Sequence, residues 1–334
     1  MEYSRRDYIL KLIIEHFIKT AQPVSSLALI EAYQVEYSSA TIRNEMNTLE
    51  KVGLLEKTHT SSGRVPSSEG YKYYIDHLRN RSVDERIKQQ LQIVLSERTE
   101  TVEQVMNKAG EILASMTDLV SVILGPKASN EHLVSLQLVP ISKTSVTAIF
   151  VTDKGFVENK TFILSDELNA DDLRKSMDII ESRLKGSRID ELVDKMANIK
   201  PILTDFIIEH EVIYRALMEA VKRFQDDRLY YYGEEKLREL PAFSGNHKRI
   251  NETIKGLDNP NDEEIAISIA KDHEDITVLK AQIKTDDEVD GVIAIIGPKR
   301  MDYEKAVNSL EYLLKELKKN KKQVEKENVD GEKD

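Results

Sequence analysis

Apolar positions near the start of the chain recur at the spacing of short amphipathic helices. Over residues 5–19 they return every three or four positions, which predicts a first helix. Pro23 cannot continue that helix, and Ser25 or Ser26 can cap a second helix over residues 27–32. The chain is therefore expected to open with short helices joined by tight turns.

A third helix follows, capped by Ser38 or Ser39, and its two faces differ in character. One face carries an apolar stripe that must pack against a core: Ile42, Met46 and Leu49. The opposite face carries small and polar side chains: Ala40, Thr41, Arg43, Asn44, Asn47, Thr48 and Lys51. Asparagine and arginine can pair with base edges, and a capped helix N-terminus can receive a phosphate. A solvated polar face is the simpler interpretation of such a pattern taken alone.

The residues after the third helix predict a β-hairpin, with strands at 54–59 and Arg64–Pro66 and a turn at Thr60–Gly63. Helices followed by such a wing are typical of small DNA-binding domains, and this context favours DNA contact over a solvated face. Arg64 at the wing tip would enter a narrow minor groove, and Tyr71 in the next helix would reach a phosphate. His59 is a lone histidine, which is more often solvated or structural. The candidate contacts are Ser39, Thr41, Arg43, Asn44, Asn47, His59, Ser61, Ser62, Arg64 and Tyr71.

Farther along, the hydrophobic period changes repeatedly between helix and strand. Residues 81–98 read as a helical connector, and a strongly periodic helix covers 102–116. The predicted strands are 119–124, 133–139, 145–152 and 156–164, then, after a long helical interval, 265–270, 276–283 and 289–296, ahead of a closing helix over 302–318. This order suggests one α+β sheet domain interrupted by an insertion. The Lys/Glu-rich tail after Lys318 is predicted to be disordered.

The charge distribution permits DNA binding although the 334-residue chain carries a net charge of −11. Residues 1–80 contain ten Lys+Arg and ten Asp+Glu, so this segment is neutral. The remaining 38 basic and 49 acidic residues account for the whole −11. A neutral domain can bind DNA where its cations cluster on one face, and an acidic body discourages non-specific contact with phosphates.

The sequence gives no sign of catalysis or of a membrane segment. There is no cysteine, the seven histidines are scattered, and no phosphate-binding loop or nucleophile elbow occurs. Asp286–Asp290 is acidic but lacks the glycine and glutamate of a calcium loop. Apolar runs such as Val292–Ile296 are too short to span a bilayer, and the charged N-terminus lacks a signal-peptide core. We expect a cytoplasmic protein that is not an enzyme, with no cofactor or metal.

Several long strings resemble the family of the heat-inducible transcription repressor HrcA. They are SSATIRNEM at 38–46, LEKVGLL at 49–55, HTSSGRVPSSEGYKYYID at 59–76 and GPKRMDY at 297–303. The match runs from the first helix to about residue 318. Leu27 stands where family members usually carry a basic residue, which removes a helix-two phosphate contact.

The resemblance implies an α+β multidomain fold with an N-terminal winged helix-turn-helix and a GAF-like domain carrying an inserted dimerisation domain. The implied boundaries are 1–80 for the winged helix, 81–98 for the connector, 99–164 plus 262–318 for the GAF-like domain, 165–261 for the insertion and 319–334 for the tail. It also implies a repressor of chaperone operons that binds an inverted-repeat operator in double-stranded DNA as a homodimer, assisted by the GroEL chaperonin. The alternatives are a regulator whose GAF-like domain senses a small ligand, and a protein-interaction module that does not bind DNA.

Overall fold

The computed structural model describes residues 3–57, 63–96, 102–125, 131–163, 178–206, 210–225, 228–240, 247–257, 265–269, 275–285 and 288–331. The chain divides into two compact units. The first unit comprises Met1–Leu124 and Leu229–Asp334, and the second comprises Gly125–Arg228. Both units combine helices with antiparallel sheets, which confirms the predicted α+β multidomain class.

The α-helices are α1 (Arg5–Thr20), α2 (Ser26–Tyr33), α3 (Ser39–Lys51), α4 (Ser68–Tyr73), α5 (Glu85–Leu95), α6 (Val102–Thr117), α7 (Leu192–Phe206), α8 (His210–Gln225), α9 (His247–Gly256) and α10 (Tyr303–Gly331). Residues 178–184 are also helical, Tyr74–Leu78 form a π-helical turn continuous with α4, and Ile189–Glu191 and Glu234–Glu239 are 3-10 turns. The strands are β1 (Leu55–Lys57), β2 (Arg64–Pro66), β3 (Val120–Leu124), β4 (Leu133–Pro140), β5 (Ser145–Thr152), β6 (Val157–Ile163), β7 (Leu229–Tyr232), β8 (Ile265–Ile269), β9 (Thr277–Thr285) and β10 (Glu288–Gly297). Within the described part of the chain, no helix is long and apolar enough to cross a membrane.

Serine caps fix where the N-terminal helices begin. The hydroxyls of Ser4, Ser25, Ser38 and Ser67 each accept a hydrogen bond from the backbone N–H three residues later, at 2.9–3.1 Å. Each bond satisfies one of the amides that a helix leaves unpaired at its start. The structure thereby selects Ser25 and Ser38 from the two pairs that the sequence left open.

The wing packs against the helices at its base. β1 and β2 pair antiparallel, and Arg64 of β2 also exchanges two backbone hydrogen bonds with Val24, at 2.8 and 2.9 Å. On the other side, α4 approaches the chain leaving α3 so closely that a Cβ on Gly70 would lie 2.1 Å from the Leu54 carbonyl oxygen. Glycine is therefore required at position 70, because any side chain would displace α4 from this contact.

The body of the first unit is a five-stranded antiparallel sheet in the order β7-β3-β10-β9-β8. Along β10, residues Ile293 and Ile295 face a core shared with α6 and α10, whereas Val292, Ala294 and Ile296 face a second core under α9. Because neighbouring residues of a strand point to opposite faces, this fully apolar run is buried on both sides. Helices therefore cover both faces of the sheet.

The second unit is a three-stranded antiparallel sheet, β4-β5-β6, with helices on one face. Val146, Ala148 and Phe150 of β5 are buried against this helical layer, to which Met196 of α7 and Leu217 of α8 belong. Near the start of β4, the buried Arg228 guanidinium donates to both carboxylate oxygens of Glu131, at 2.8 and 3.0 Å.

The strands are distributed between the two larger sheets differently from the prediction. All seven predicted strands after residue 118 are present. However, the prediction assigned β4, β5 and β6 to a GAF-like domain at 99–164, and these strands belong to the second unit. The prediction assigned β7 to the insertion at 165–261, and this strand belongs to the five-stranded sheet. The reason is that alternation reveals a half-buried strand but not its partner. The structure thus places the boundaries of the inserted unit at 125 and 228.

Two helical segments also differ from the prediction. Residues 81–98 are more than a connector, because Ile87 and Leu91 of α5 are fully buried in the core shared with α6 and α10. At the other end, the backbone of α10 is helical as far as Gly331, where a disordered tail was predicted from 319. Lys and Glu are good helix formers and support one another at helical spacing, so such a segment can continue a helix that the core has already nucleated.

Candidate nucleic-acid interface

The two faces of α3 are arranged as the sequence predicted. Ile42, Met46 and Leu49 are buried in the core. On the opposite face, the exposed side chains are those of Ala40, Arg43, Asn44, Asn47 and Lys51, whereas Thr41 and Thr48 are half-buried. The helix therefore presents a guanidinium and two amides from a rigid element, which is the arrangement that a major-groove reader requires.

The first turn of α3 is held by hydroxyl groups. Ser38 caps the helix by accepting from the Thr41 backbone N–H at 3.1 Å, and its hydroxyl lies 2.8 Å from that of Thr41. Ser39 lies 2.9 Å from the Ser26 hydroxyl at the start of α2. Both Ser39 and Thr41 are half-buried, and the Ser39 hydroxyl joins α3 to the start of α2.

Arg43 is anchored at one end and exposed at the other. Its Nε donates to the Ser26 hydroxyl at 3.3 Å, and the residue is exposed to solvent. A guanidinium held through Nε directs its terminal nitrogens away from the anchor, and that fork can pair bidentately with the O6 and N7 atoms of guanine. Ser26 is therefore a positioning partner that the sequence did not reveal.

Arg64 is the first residue of β2, and its side chain contacts α3. Its Nε donates to a Glu50 carboxylate oxygen at 2.7 Å, and its Nη2 donates to the Asn47 side-chain oxygen at 3.0 Å. Only 11% of the side chain is exposed. The expected insertion of Arg64 into a minor groove is therefore corrected: its guanidinium is bound to Glu50 and Asn47 of α3, and its backbone is bridged to Val24.

Tyr71 is also misplaced by the sequence prediction. Its residue surface is 1% exposed, and its ring lies 5.1 Å from that of Tyr303, centroid to centroid. Burial raises the pKa of its hydroxyl, which has no hydrogen-bond partner among the described residues. A buried side chain cannot reach a phosphate, so Tyr71 is part of the core and not of the interface.

Three candidate contacts belong to the part of the wing that precedes Arg64. His59, Ser61 and Ser62 lie outside the described residues, so their assignment as DNA contacts stays a prediction.

Glu45 is an important residue of α3 that sequence reasoning missed. Its buried carboxylate accepts from Arg5 at 2.9 and 2.7 Å and from Arg6 at 3.1 Å, which fastens the middle of α3 to the start of α1. The hydrogen bonds from Arg5, followed by those from Arg6, lower the pKa of this carboxyl. A signal was present, because Glu45 lies one helical turn from both Ile42 and Leu49 and so falls on the buried face.

The described residues contain no group of three or more His, Asp or Glu side chains that could hold a metal ion. The surface thus consists of polar and cationic side chains on α3. Hydrogen bonds to α1, α2 and the wing hold this helix and its side chains in place.

Comparison with known proteins identifies relatives along nearly the whole chain. The profile of the HrcA protein C-terminal domain matches residues 103–307. The heat-inducible transcription repressor HrcA of Bacillus pumilus (strain SAFR-032) is 36% identical over 332 residues, covering 94% of this chain and 96% of the relative. The repressors of the same name from Lysinibacillus sphaericus and Halalkalibacterium halodurans are 34% and 32% identical, and each alignment covers 96% of the relative.

A solved structure shares the fold along nearly the whole chain. It is a crystal structure of a protein described as hypothetical, at 2.2 Å resolution, with a TM-score of 0.69 and 22% identity. The alignment covers 96% of this chain and 98% of that one. The family profile and the full-length relatives together establish that this chain belongs to the HrcA family of heat-inducible transcription repressors, whose members are not enzymes.

Proposed function

We propose that the chain represses heat-shock chaperone operons by binding double-stranded DNA at an inverted-repeat operator as a homodimer. The observation that carries the proposal is the exposed face of α3, where Arg43, Asn44 and Asn47 project from a helix that is capped, buried on its other side and held by α1 and α2. Of the other candidate contacts, Ser39 and Thr41 lie at the edge of this face. The candidates of the wing, His59, Ser61 and Ser62, would enlarge it.

A dimer follows from the operator's proposed symmetry. A two-fold axis would place two α3 helices in major grooves a whole number of helical turns apart, so that each reads one half-site. One helix alone would contact too few base pairs to separate an operator from the competing sites of a genome.

The outward face of the second unit supports self-association. Opposite its helical layer, β4, β5 and β6 present only uncharged side chains, and Val157 and Ile163 there are 50% and 75% exposed. The members of this face are Gln137, Val139, Thr147, Ile149, Val151, Val157, Asn159, Thr161 and Ile163. Exposed, uncharged and β-branched surfaces of this kind mark protein interfaces. We therefore assign dimerisation to this face within the inserted unit.

The GroEL chaperonin is the partner proposed from the family resemblance, as the factor that maintains the repressor in its active fold. Binding of the full-length chain to a candidate inverted repeat should then strengthen when chaperonin is present. An affinity that is identical with and without chaperonin would argue against this partner.

The DNA proposal is tested by replacing the exposed side chains of α3. We expect Arg43→Ala or Asn44→Ala to abolish specific binding in a gel-shift titration while leaving the fold and the dimer intact, because each removes groups that can pair with a base edge. Arg86→Ala, at an exposed arginine of α5, is the matched control and should bind normally. Unchanged affinity and specificity in both α3 variants would reject this surface as the interface.

A further inference from the structure

Arg64 connects the wing to the amide that α3 presents at position 47. We propose that Arg64 is a positioning residue for DNA recognition: it holds the Asn47 side-chain oxygen toward the wing, so that Asn47 presents hydrogen-bond donors to the major groove. This inference rests on the proposed function, in which the exposed face of α3 reads the operator. It replaces the role of minor-groove probe that the sequence suggested.

The position of the guanidinium is fixed by backbone and side-chain bonds together. The Arg64 backbone pairs with Lys57 on one side and with Val24 on the other, so β2 can neither slide nor rotate at this residue. From that anchor, Nε reaches Glu50 at 2.7 Å and Nη2 reaches Asn47 at 3.0 Å. A planar guanidinium that bonds at two points in this way has a defined orientation, and it transmits that orientation to its partners.

The identity of the partner determines which way the amide is turned. A guanidinium carries only donors, so the atom of Asn47 that faces it must be the carbonyl oxygen and not the NH₂ group. Asn47 itself is exposed, and its NH₂ group is left to donate to a base.

This orientation predicts a base preference. A bidentate asparagine–adenine pair requires the amide to donate to N7 and to accept from the N6 amino group, whereas guanine presents two acceptors, O6 and N7. With its oxygen held by Arg64, Asn47 is suited to an acceptor edge. We therefore expect position 47 to read guanine and to discriminate against adenine.

The charge of Arg64 distinguishes its proposed positioning role from a direct contact with a DNA phosphate. The positive charge of Arg64 is already paired with Glu50 inside the protein. An arginine bound to a phosphate adds about one unit to the salt dependence of binding, while an internally neutralised arginine adds little. The two roles for Arg64 thus predict different salt slopes.

The experiment uses the full chain and a pool of DNA duplexes with a randomised core, followed by sequencing of the bound fraction and by salt titrations on the selected sequence. The variants are Asn47→Ala and the charge-balanced double variant Arg64→Gln with Glu50→Gln. We expect both to lose preference at the same position of each half-site, by about tenfold, with the other positions and the salt slope unchanged. Arg64→Lys keeps the charge but replaces the rigid planar fork by a single ammonium on a flexible stem, so it should lose part of the same preference. It replaces the double variant should that fail to fold.

Two results would overturn the inference. In the first, the double variant weakens binding on all sequences and lowers the salt slope by about one, which identifies Arg64 as a phosphate or minor-groove contact. In the second, Asn47→Ala changes the preference at one position but the Arg64 variants leave that position unchanged. Failure of the proposed function is distinguishable from both, because the unmodified chain would then select no sequence at all.

Discussion

Single side chains on the exposed side of α3 depend on partners from other elements. Arg43 is anchored on Ser26 of α2, and Asn47 on Arg64 of β2. The sequence predicted that Arg43, Asn44 and Asn47 are exposed, and the structure confirms this, since helical periodicity determines which face of α3 is buried. It could not predict the anchors, because Ser26 and Arg64 lie 17 positions from the residues they hold. Tyr71 was misjudged for the same reason: its burial against Tyr303 depends on a contact between distant segments.

At the residue scale, we predict that Tyr71→Phe leaves DNA affinity unchanged and keeps or raises stability by up to about 1 kcal/mol. The substitution removes a buried hydroxyl with no partner among the described residues, and such a group carries an uncompensated desolvation cost. Tyr73→Phe is the control, since the Tyr73 hydroxyl donates to Asp7 at 3.0 Å and its loss should lower stability slightly. Thermal denaturation and gel-shift titration measure the two effects. Weaker DNA binding by Tyr71→Phe at unchanged stability would return Tyr71 to the interface.

At the scale of elements, α3 is positioned by a buried carboxylate as well as by its apolar stripe. Glu45 joins the middle of α3 to the first turn of α1 through Arg5 and Arg6. The arginines are 53% and 50% exposed, so solvent weakens each pair, but the three charge-assisted hydrogen bonds converge on one buried group. This contact ties the orientation of α3 to that of α1.

We predict that Glu45→Gln makes α3 open more easily at pH 7, by about 1 kcal/mol, because a neutral amide cannot replace the charge-assisted bonds. The pKa of Glu45 is lowered in the fold, so the stabilisation by its carboxylate is complete above the usual value near 4.5 and is lost as the pH falls through the lowered pKa. The difference between the two proteins should therefore shrink below about pH 4.5. Hydrogen exchange of the α3 amides at pH 7 and in acid tests this, with Glu56→Gln in β1 as the exposed control. A difference that persists unchanged in acid would contradict the assignment.

At the scale of the whole molecule, the helix-turn-helix is fixed to the sheet body within the first unit. Arg79, buried after the π-helical turn, donates to Asn308 and Glu311 of α10, while Tyr74 and the Asn80 backbone N–H donate to Glu304 at 2.8 and 2.7 Å. Arg300 donates to the Ile18 carbonyl at the end of α1. The N-terminal helices and the body of the first unit are thus held together by polar contacts that span more than 200 residues of sequence.

We predict that Arg79→Ala loosens this junction by about 2–4 kcal/mol, because it leaves Asn308 and Glu311 without their buried donor. Protection of residues 79–84 against hydrogen exchange should fall by about tenfold or more, and operator affinity should decrease although α3 itself is unchanged. Arg81→Ala, two positions on and exposed, is the control. Normal protection and normal affinity in Arg79→Ala would show that the junction does not position the DNA-binding surface.

The sequence by itself determined the features that depend on neighbours within a few positions. Pairs of serines marked the starts of α2 and α3 to within one residue, the apolar period predicted the buried face of α3, and alternation predicted the strands. Family membership was already indicated by the strings around α3 and the wing. Tertiary structure alone decided which strands share a sheet, that Arg64 turns back onto α3, that Tyr71 is internal and that Glu45 has two arginine partners. The physical reason is the range of the interactions: each of these outcomes depends on contacts between residues from 14 to more than 200 positions apart, and the folded chain alone brings such residues together.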